Sequence, residues 1–209
     1  MPKRKSTFDK KVFINCPFDT DYRQMLLAIV FTVKRLGFTP QLTLQSADSS
    51  TTRIANIVKL IRTSKFAIHD LSRIMSTKED EPARMNMPFE LGIDFGCKQY
   101  KGGECRYKKI LVLEAERYRY QAALSDLSGS DIKSHGNEPI KVVKAVRDWF
   151  VTEELKTGAG PKAIWYDFND FNADLADKLI EQGHATEDFE SVPVPEVMAY
   201  MDQWFAARA

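Results

Sequence analysis

Short apolar runs alternate with helical patterns along the first roughly 115 residues, and that alternation narrows the possible folds most. Val12-Phe13-Ile14 reads as a strand that ends in Asn15-Cys16-Pro17-Phe18-Asp19. Tyr22, Met25, Leu26, Ile29, Val30 and Val33 then fall on one helical face, and Gly37 stops that helix. Phe38 to Gln45 reads as a second strand, with Leu42 and Leu44 alternating against polar neighbours. Ser50, Thr51 or Thr52 can cap a helix carrying Ile54, Ile57, Val58 and Ile61. Lys65 to Leu71 is a third strand with a polar end at His69 and Asp70, and a polar loop from Ser72 to Arg84 follows. Pro88 suits the first turn of a helix reaching about Tyr100, and Lys108 to Glu114 is a fourth strand, apolar enough to be buried on both faces. This succession predicts an α/β fold with a parallel sheet flanked by helices.

After Glu114 the pattern loosens. Glu116 to Asn137 is polar and irregular, and a helix follows from about Pro139 to Glu154. Gly158-Ala159-Gly160-Pro161 is a break, Ala163 to Tyr166 reads as one last strand, and helices near Phe171 to Gln182 and Pro195 to Ala207 close the sequence. The reading gives a basic tail (1–10), an α/β domain (11–155) and a C-terminal helical extension (156–209) packed on that domain or on a second subunit.

The 30 basic and 29 acidic side chains nearly cancel, so no domain-wide positive field is available and nucleic acid is not indicated as a partner. Cys16, Cys97 and Cys105 show neither CxxC nor zinc-type spacing and read as free thiols of a reducing compartment. The basic start, Met1 to Lys5, is followed by no apolar signal core, and no apolar run approaches the roughly 20 residues of a spanning helix. A cytoplasmic protein without a membrane partner is expected.

Ligands of open parallel sheets bind beyond the carboxyl ends of the strands. The sequence turns polar there at Asn15 to Asp21, at His69 to Arg73 and at Arg117 to His135. Glu90, in Asn86-Met87-Pro88-Phe89-Glu90-Leu91-Gly92, is the sharpest single residue: a carboxylate between apolar neighbours, early in its helix. Gly92 and Gly96 permit close packing, so this helix is expected to be well buried. Asp70 brings a second carboxylate to the same edge, and two carboxylates in one cleft suit bond cleavage at a sugar C1, where an oxocarbenium-like centre develops.

His69 points to the opposite face of its strand from Asp70 and reads as structural. His135, with Asp126 and Asp131, lies in a stretch of turn formers and reads as solvated loop rather than metal site. Arg53, Arg73 and Arg84 flank the cleft and can hold phosphate. Cys16 has no convincing histidine partner. No GxGxxG after the first strand, GxxxxGK[ST] or GxSxG is present, and neither a cofactor nor a metal is expected.

The first strand running into Cys16-Pro17-Phe18, Asp70-Leu71 ending the third, and Phe89-Glu90-Leu91-Gly92 in the next helix together resemble the nucleoside 2-deoxyribosyltransferase-like fold and the related TIR-domain NAD hydrolases. The resemblance covers about Lys11 to Glu114 and implies a flavodoxin-like architecture. It implies Glu90 as the group acting at the sugar C1, as in the ELG-type motif, and Asp70 as the group handling the base. Asn15, Pro17, Phe18, Asp19, Arg73, Asn86 and Met87 would line the substrate. The implied substrate is a nucleoside, nucleotide or NAD, the implied assembly a homo-oligomer, and a bacterial defence effector is a role common to this architecture. A non-catalytic module that senses a nucleotide and signals to a partner is the alternative.

Overall fold

The computed structural model describes residues 7–74 and 85–208. The chain forms two compact units, Met1–Pro17 with Phe38–Asn137, and Phe18–Gly37 with Glu138–Ala209. Its strands are β1 (Lys11–Asn15), β2 (Thr39–Gln41), β3 (Phe66–Asp70), β4 (Lys109–Glu114) and β5 (Lys133–Ser134). Its α-helices are α1 (Arg23–Arg35), α2 (Arg53–Thr63), α3 (Asn86–Tyr100), α4 (Pro139–Phe150), α5 (Pro161–Glu181) and α6 (Val194–Ala206).

The first unit holds all five strands in one parallel sheet of order β2-β1-β3-β4-β5. Its register sets Ile14 beside Ile68, Asn15 beside His69 and Asp70 beside Leu113. Val12, Phe13 and Ile14 are wholly buried, as is all of β3, which is why these segments read as continuous rather than alternating. Thr52 caps α2 by accepting the Ala55 N–H. Ile57 and Ile61 of α2 then close on Phe13 and Ala67, with Ile93 and Cys97 of α3 beside them. Ile54, placed on this apolar face by periodicity, is instead exposed.

Two strands differ from the sequence reading. β2 stops at Gln41, and Leu42 leads into a 3-10 turn, Thr43–Gln45, closed by the Gln45 side chain accepting the Leu42 N–H. The short β2 pairs only with β1, and Pro40 is tolerated there because an edge strand can spare a donor. The last strand is Lys133–Ser134, paired with the end of β4. Ala163 to Tyr166 lies inside α5, where Gly160 is the N-cap and Pro161 opens the first turn. Ile164, Phe168 and Phe171 are its buried stripe.

The second unit contains α1, α4, α5 and α6. α1 is buried continuously from Met25 to Val33, the mark of a core helix rather than one with a single apolar stripe. It ends as expected: Gly37 takes φ 80° and its N–H reaches the Lys34 carbonyl. α1 and α4 stand in this unit with the C-terminal helices. Phe31 is the hub of this unit, fully buried, with ring centroids of Phe168, Phe171, Trp204 and Phe205 at 4.9–5.7 Å. Around it, Arg35 bonds Asp167 at 2.7 Å on the surface.

Truncating Phe31 opens a cavity among four aromatic neighbours. Phe31→Ala is expected to cost about 3–5 kcal/mol in urea unfolding; a midpoint within about 1 kcal/mol of the parent would contradict this packing.

Candidate active site

In a sheet of order 2-1-3-4-5 the chain reverses direction of growth between β1 and β3, and the carboxyl ends of those strands flank the ligand crevice. Asn15 and His69 are register neighbours at that point, both buried. The Asn15 amide nitrogen lies 3.0 Å from His69 Nδ1 and donates to the Met87 carbonyl, in the first turn of α3, at 3.2 Å. On its other side His69 Nε2 is 3.1 Å from Asp94 Oδ2, and Lys108 Nζ stands 3.1 Å from Asp94 Oδ1. Lys108 also donates to the carbonyls of Ile61 (2.8 Å) and Ser64 (2.5 Å) at the end of α2. His69, Asp94 and Lys108 are all fully or almost fully enclosed. An amide nitrogen can only donate, so Nδ1 is the accepting nitrogen and the ring proton sits on Nε2, facing the carboxylate. Both ring nitrogens of His69 thus have partners.

On the opposite face of β3, Asp70 is equally enclosed. Its Oδ1 accepts the Ser72 N–H at 2.8 Å and its Oδ2 lies 2.9 Å from His135 Nε2. His135 Nδ1 accepts the Asn137 N–H, which again puts the ring proton on Nε2. Ser72 Oγ is 3.0 Å from that same Nε2. The three residue types of a hydrolytic triad are thus present without its geometry, because carboxylate and hydroxyl share one nitrogen and backbone occupies the other.

His135 is fully buried and not part of a solvated loop. β5 delivers it: its N–H reaches the Glu114 carbonyl at 3.0 Å, directly after the two-residue strand. The irregular stretch before β5 is also structural. Tyr120 is buried with Leu71, Leu91 and Val112, and Leu124, Leu127 and Ile132 pack against them. Arg119 donates to Glu114 Oε1 (2.7 Å) and to the Ser72 carbonyl (2.6 Å). Burial raises the Glu114 carboxyl above its usual range, and Arg119 works against the rise.

Glu90 is the fifth residue of α3 and 4% exposed. Burial raises its carboxyl above the usual range, opposed by the charge of Arg53 at the start of α2. No hydrogen bond links Glu90 to another described residue. The helix itself is less covered than its glycines suggested. Gly92 and Gly96 have open space where a Cβ would stand, and Met85 and Phe89 are exposed. One face of α3 therefore buries Glu90, Leu91 and Asp94 while the other is open.

The other sequence-predicted residues fall in different places. Met87 joins Asn15 directly, Asn86 is exposed at the start of α3, Pro17 is buried and Arg73 half-buried. Phe18 and Asp19 belong to the second unit, where Asp19 caps the turn before α1 by accepting the Tyr22 N–H. Arg84 lies outside the described residues. Asp94 and Lys108 were not singled out from sequence; the one available signal is that Asp94 follows Glu90 by four residues and so shares its helix face. Among the described residues no group of His, Cys, Asp and Glu is arranged to hold a metal ion.

Fold and site together define a parallel-sheet α/β protein in which Glu90, buried on the helix after β3, makes no hydrogen bond among the described residues. No protein-family model matches the chain, and neither a curated protein nor a solved structure matches it.

Two predictions test these assignments. Lys108→Met leaves the Asp94 carboxylate without its cation and is expected to destabilise the protein by about 3–5 kcal/mol in urea unfolding. Glu90→Gln should act in the opposite direction at neutral pH. A carboxyl with a raised folded pKa holds its proton longer in the folded than in the unfolded chain, so stability falls as pH rises from the unfolded value through the folded one. The variant, lacking that loss, should melt higher than the parent at pH 7, with the gap closing towards pH 4; a variant that melts lower at pH 7 would mean that Glu90 is a structural group.

Proposed function

We propose that the protein cleaves the N-glycosidic bond of a nucleoside, nucleotide or NAD, with Glu90 as the group that acts at C1 of the sugar. The observation that carries this reading is the buried Glu90 carboxylate, without a hydrogen bond to any described residue, one helical turn from the Asn15–Met87 contact. A half-desolvated carboxylate without a hydrogen bond to any described residue is available to stabilise, or attack, the cationic C1 that develops as the C1–N bond breaks. The bonding pair leaves with the base: nicotinamide departs neutral from NAD, whereas the base of a nucleoside or nucleotide takes up a proton from solvent; C1 is then captured by water, which gives up a proton, or by a second base. Arg53 favours the charged form of Glu90 that this step needs.

Asp70 serves in this reading as a positioning residue, since its oxygens hold Ser72 and His135. Pro17, Arg73, Asn86 and Met87 are proposed to shape the substrate pocket with Asn15. The resemblance also supports a homo-oligomer and a role in bacterial defence through nucleotide depletion. Three free cysteines fit a reducing cytoplasm. No helix among the described residues is long and apolar enough to cross a membrane.

The test is incubation of the purified protein with NAD and a panel of nucleosides and nucleotides, deoxy forms included, with free base followed by chromatography. Base release is expected, and Glu90→Gln should lower it by about 100-fold or more. A panel that yields no base, with one member raising the melting temperature, would favour the nucleotide-sensing alternative.

A further inference from the structure

The buried chain from Lys108 to Asn15 fixes more than a fold. Lys108 Nζ stands 3.1 Å from Asp94 Oδ1, Asp94 Oδ2 faces His69 Nε2, and His69 Nδ1 turns its lone pair to the Asn15 amide nitrogen. Only the nitrogen end of the Asn15 amide can face that lone pair, and its second hydrogen goes to the Met87 carbonyl. Turning the amide over would set Oδ1 against two acceptors, so its orientation is locked at both hydrogens. Among the described residues Asn15 Oδ1 is then the one polar atom of this side chain without a partner, and it is an acceptor only. Met87, to which Asn15 is tied, lies three residues before Glu90 on the same ridge of α3.

We propose that Asn15 Oδ1 is a specificity-determining acceptor for the 2′-hydroxyl of a ribosyl substrate, so that the site selects ribonucleosides or ribonucleotides over their 2′-deoxy forms. The assignment rests on the proposed role of Glu90. With C1 of the sugar at Glu90, the nearest substrate donor is the hydroxyl on the adjoining carbon. An acceptor locked in place gains from that O–H and offers nothing to a hydrogen or a methyl ether at the same position. The same hydrogen bond places electron density on the 2′-oxygen beside the developing cation, which favours the transition state. The Asp94–Lys108 pair, costly to bury, finds a purpose here: it holds the tautomer that orients the amide.

Affinities are best read by calorimetry on Glu90→Gln, so that the greater intrinsic lability of deoxynucleosides does not enter. The probes are adenosine, guanosine, cytidine and uridine with their 5′-monophosphates, each in ribo, 2′-deoxy and 2′-O-methyl form. Ribo forms are expected to bind at least about tenfold tighter than both analogues. Adding Asn15→Ala should bring the three affinities together by weakening the ribo form alone, whereas a merely structural asparagine would weaken all three alike. The ratios in the Glu90→Gln background decide the matter even if the double variant does not fold. Equal binding of ribo and deoxy forms would overturn the role of Asn15 and leave the cleavage reading standing. No binding to any probe, together with no base release by the parent protein, would overturn both.

Discussion

The Lys108–Asp94 ion pair sits under α3 with both side chains fully enclosed, and the rest of the candidate site depends on it. Two buried charges cost several kcal/mol each in lost hydration and return that only where geometry and further hydrogen bonds are good. Here the further bonds exist. The ammonium closes the carbonyl end of α2 through Ile61 and Ser64, where a cation is favoured by the helix dipole. The carboxylate takes the imidazole proton of His69, which passes the constraint to Asn15. One ion pair thereby ties α2, β3, α3 and β4 together and sets the orientation of an amide at the carboxyl end of β1. Its strength comes from linkage between elements rather than from Coulomb attraction alone.

The opposite face of β3 is organised by a second enclosed carboxylate, and the contrast is instructive. Asp70 draws in His135, which arrives from the far edge of the sheet on β5, and Ser72, which begins the loop after β3. Arg119 completes this group by joining Glu114 to the Ser72 carbonyl. Residues far apart in sequence are brought to adjoining strand ends, and hydrogen bonds then hold those ends in place. Nothing here resembles an activated nucleophile, since Ser72 and Asp70 compete for one ring nitrogen. These hydrogen bonds hold the carboxyl ends of β3 and β4 together.

The sheet was legible because its central strands are apolar runs, Val12–Ile14, Phe66–Ile68 and Ile110–Leu113, and such runs bury on both faces. β5 was hidden, because two polar residues carry no periodicity, and with it the burial of His135 was missed. Ala163 to Tyr166 misled for the reverse reason: a short apolar run does not by itself distinguish strand from helix, and the deciding signal was Gly160-Pro161 just before it. Glu90 stood out because apolar neighbours early in a helix make a carboxylate conspicuous. Asp94 and Lys108 did not, since each becomes informative only once β3, α3 and β4 are set side by side. The apolar surface of α1 meets α4, α5 and α6, a partnership that no local pattern announces.

Among the buried carboxylates of the first unit, Glu90 is the exception that needs explaining. Asp94 has Lys108 and His69, Asp70 has His135 and a backbone N–H, and Glu114 has Arg119 and the Ala115 N–H. Glu90 has only the field of Arg53 against the cost of its burial. Burying a carboxylate without a hydrogen bond gains nothing in stability. Such a group is kept where its partner comes with the ligand or forms during the reaction. Asn15 Oδ1 adds a neutral acceptor tied to the same ridge of the same helix. In the proposed reading, a ribosyl substrate brings developing positive charge at C1 to the carboxylate and its 2′-hydroxyl to the acceptor.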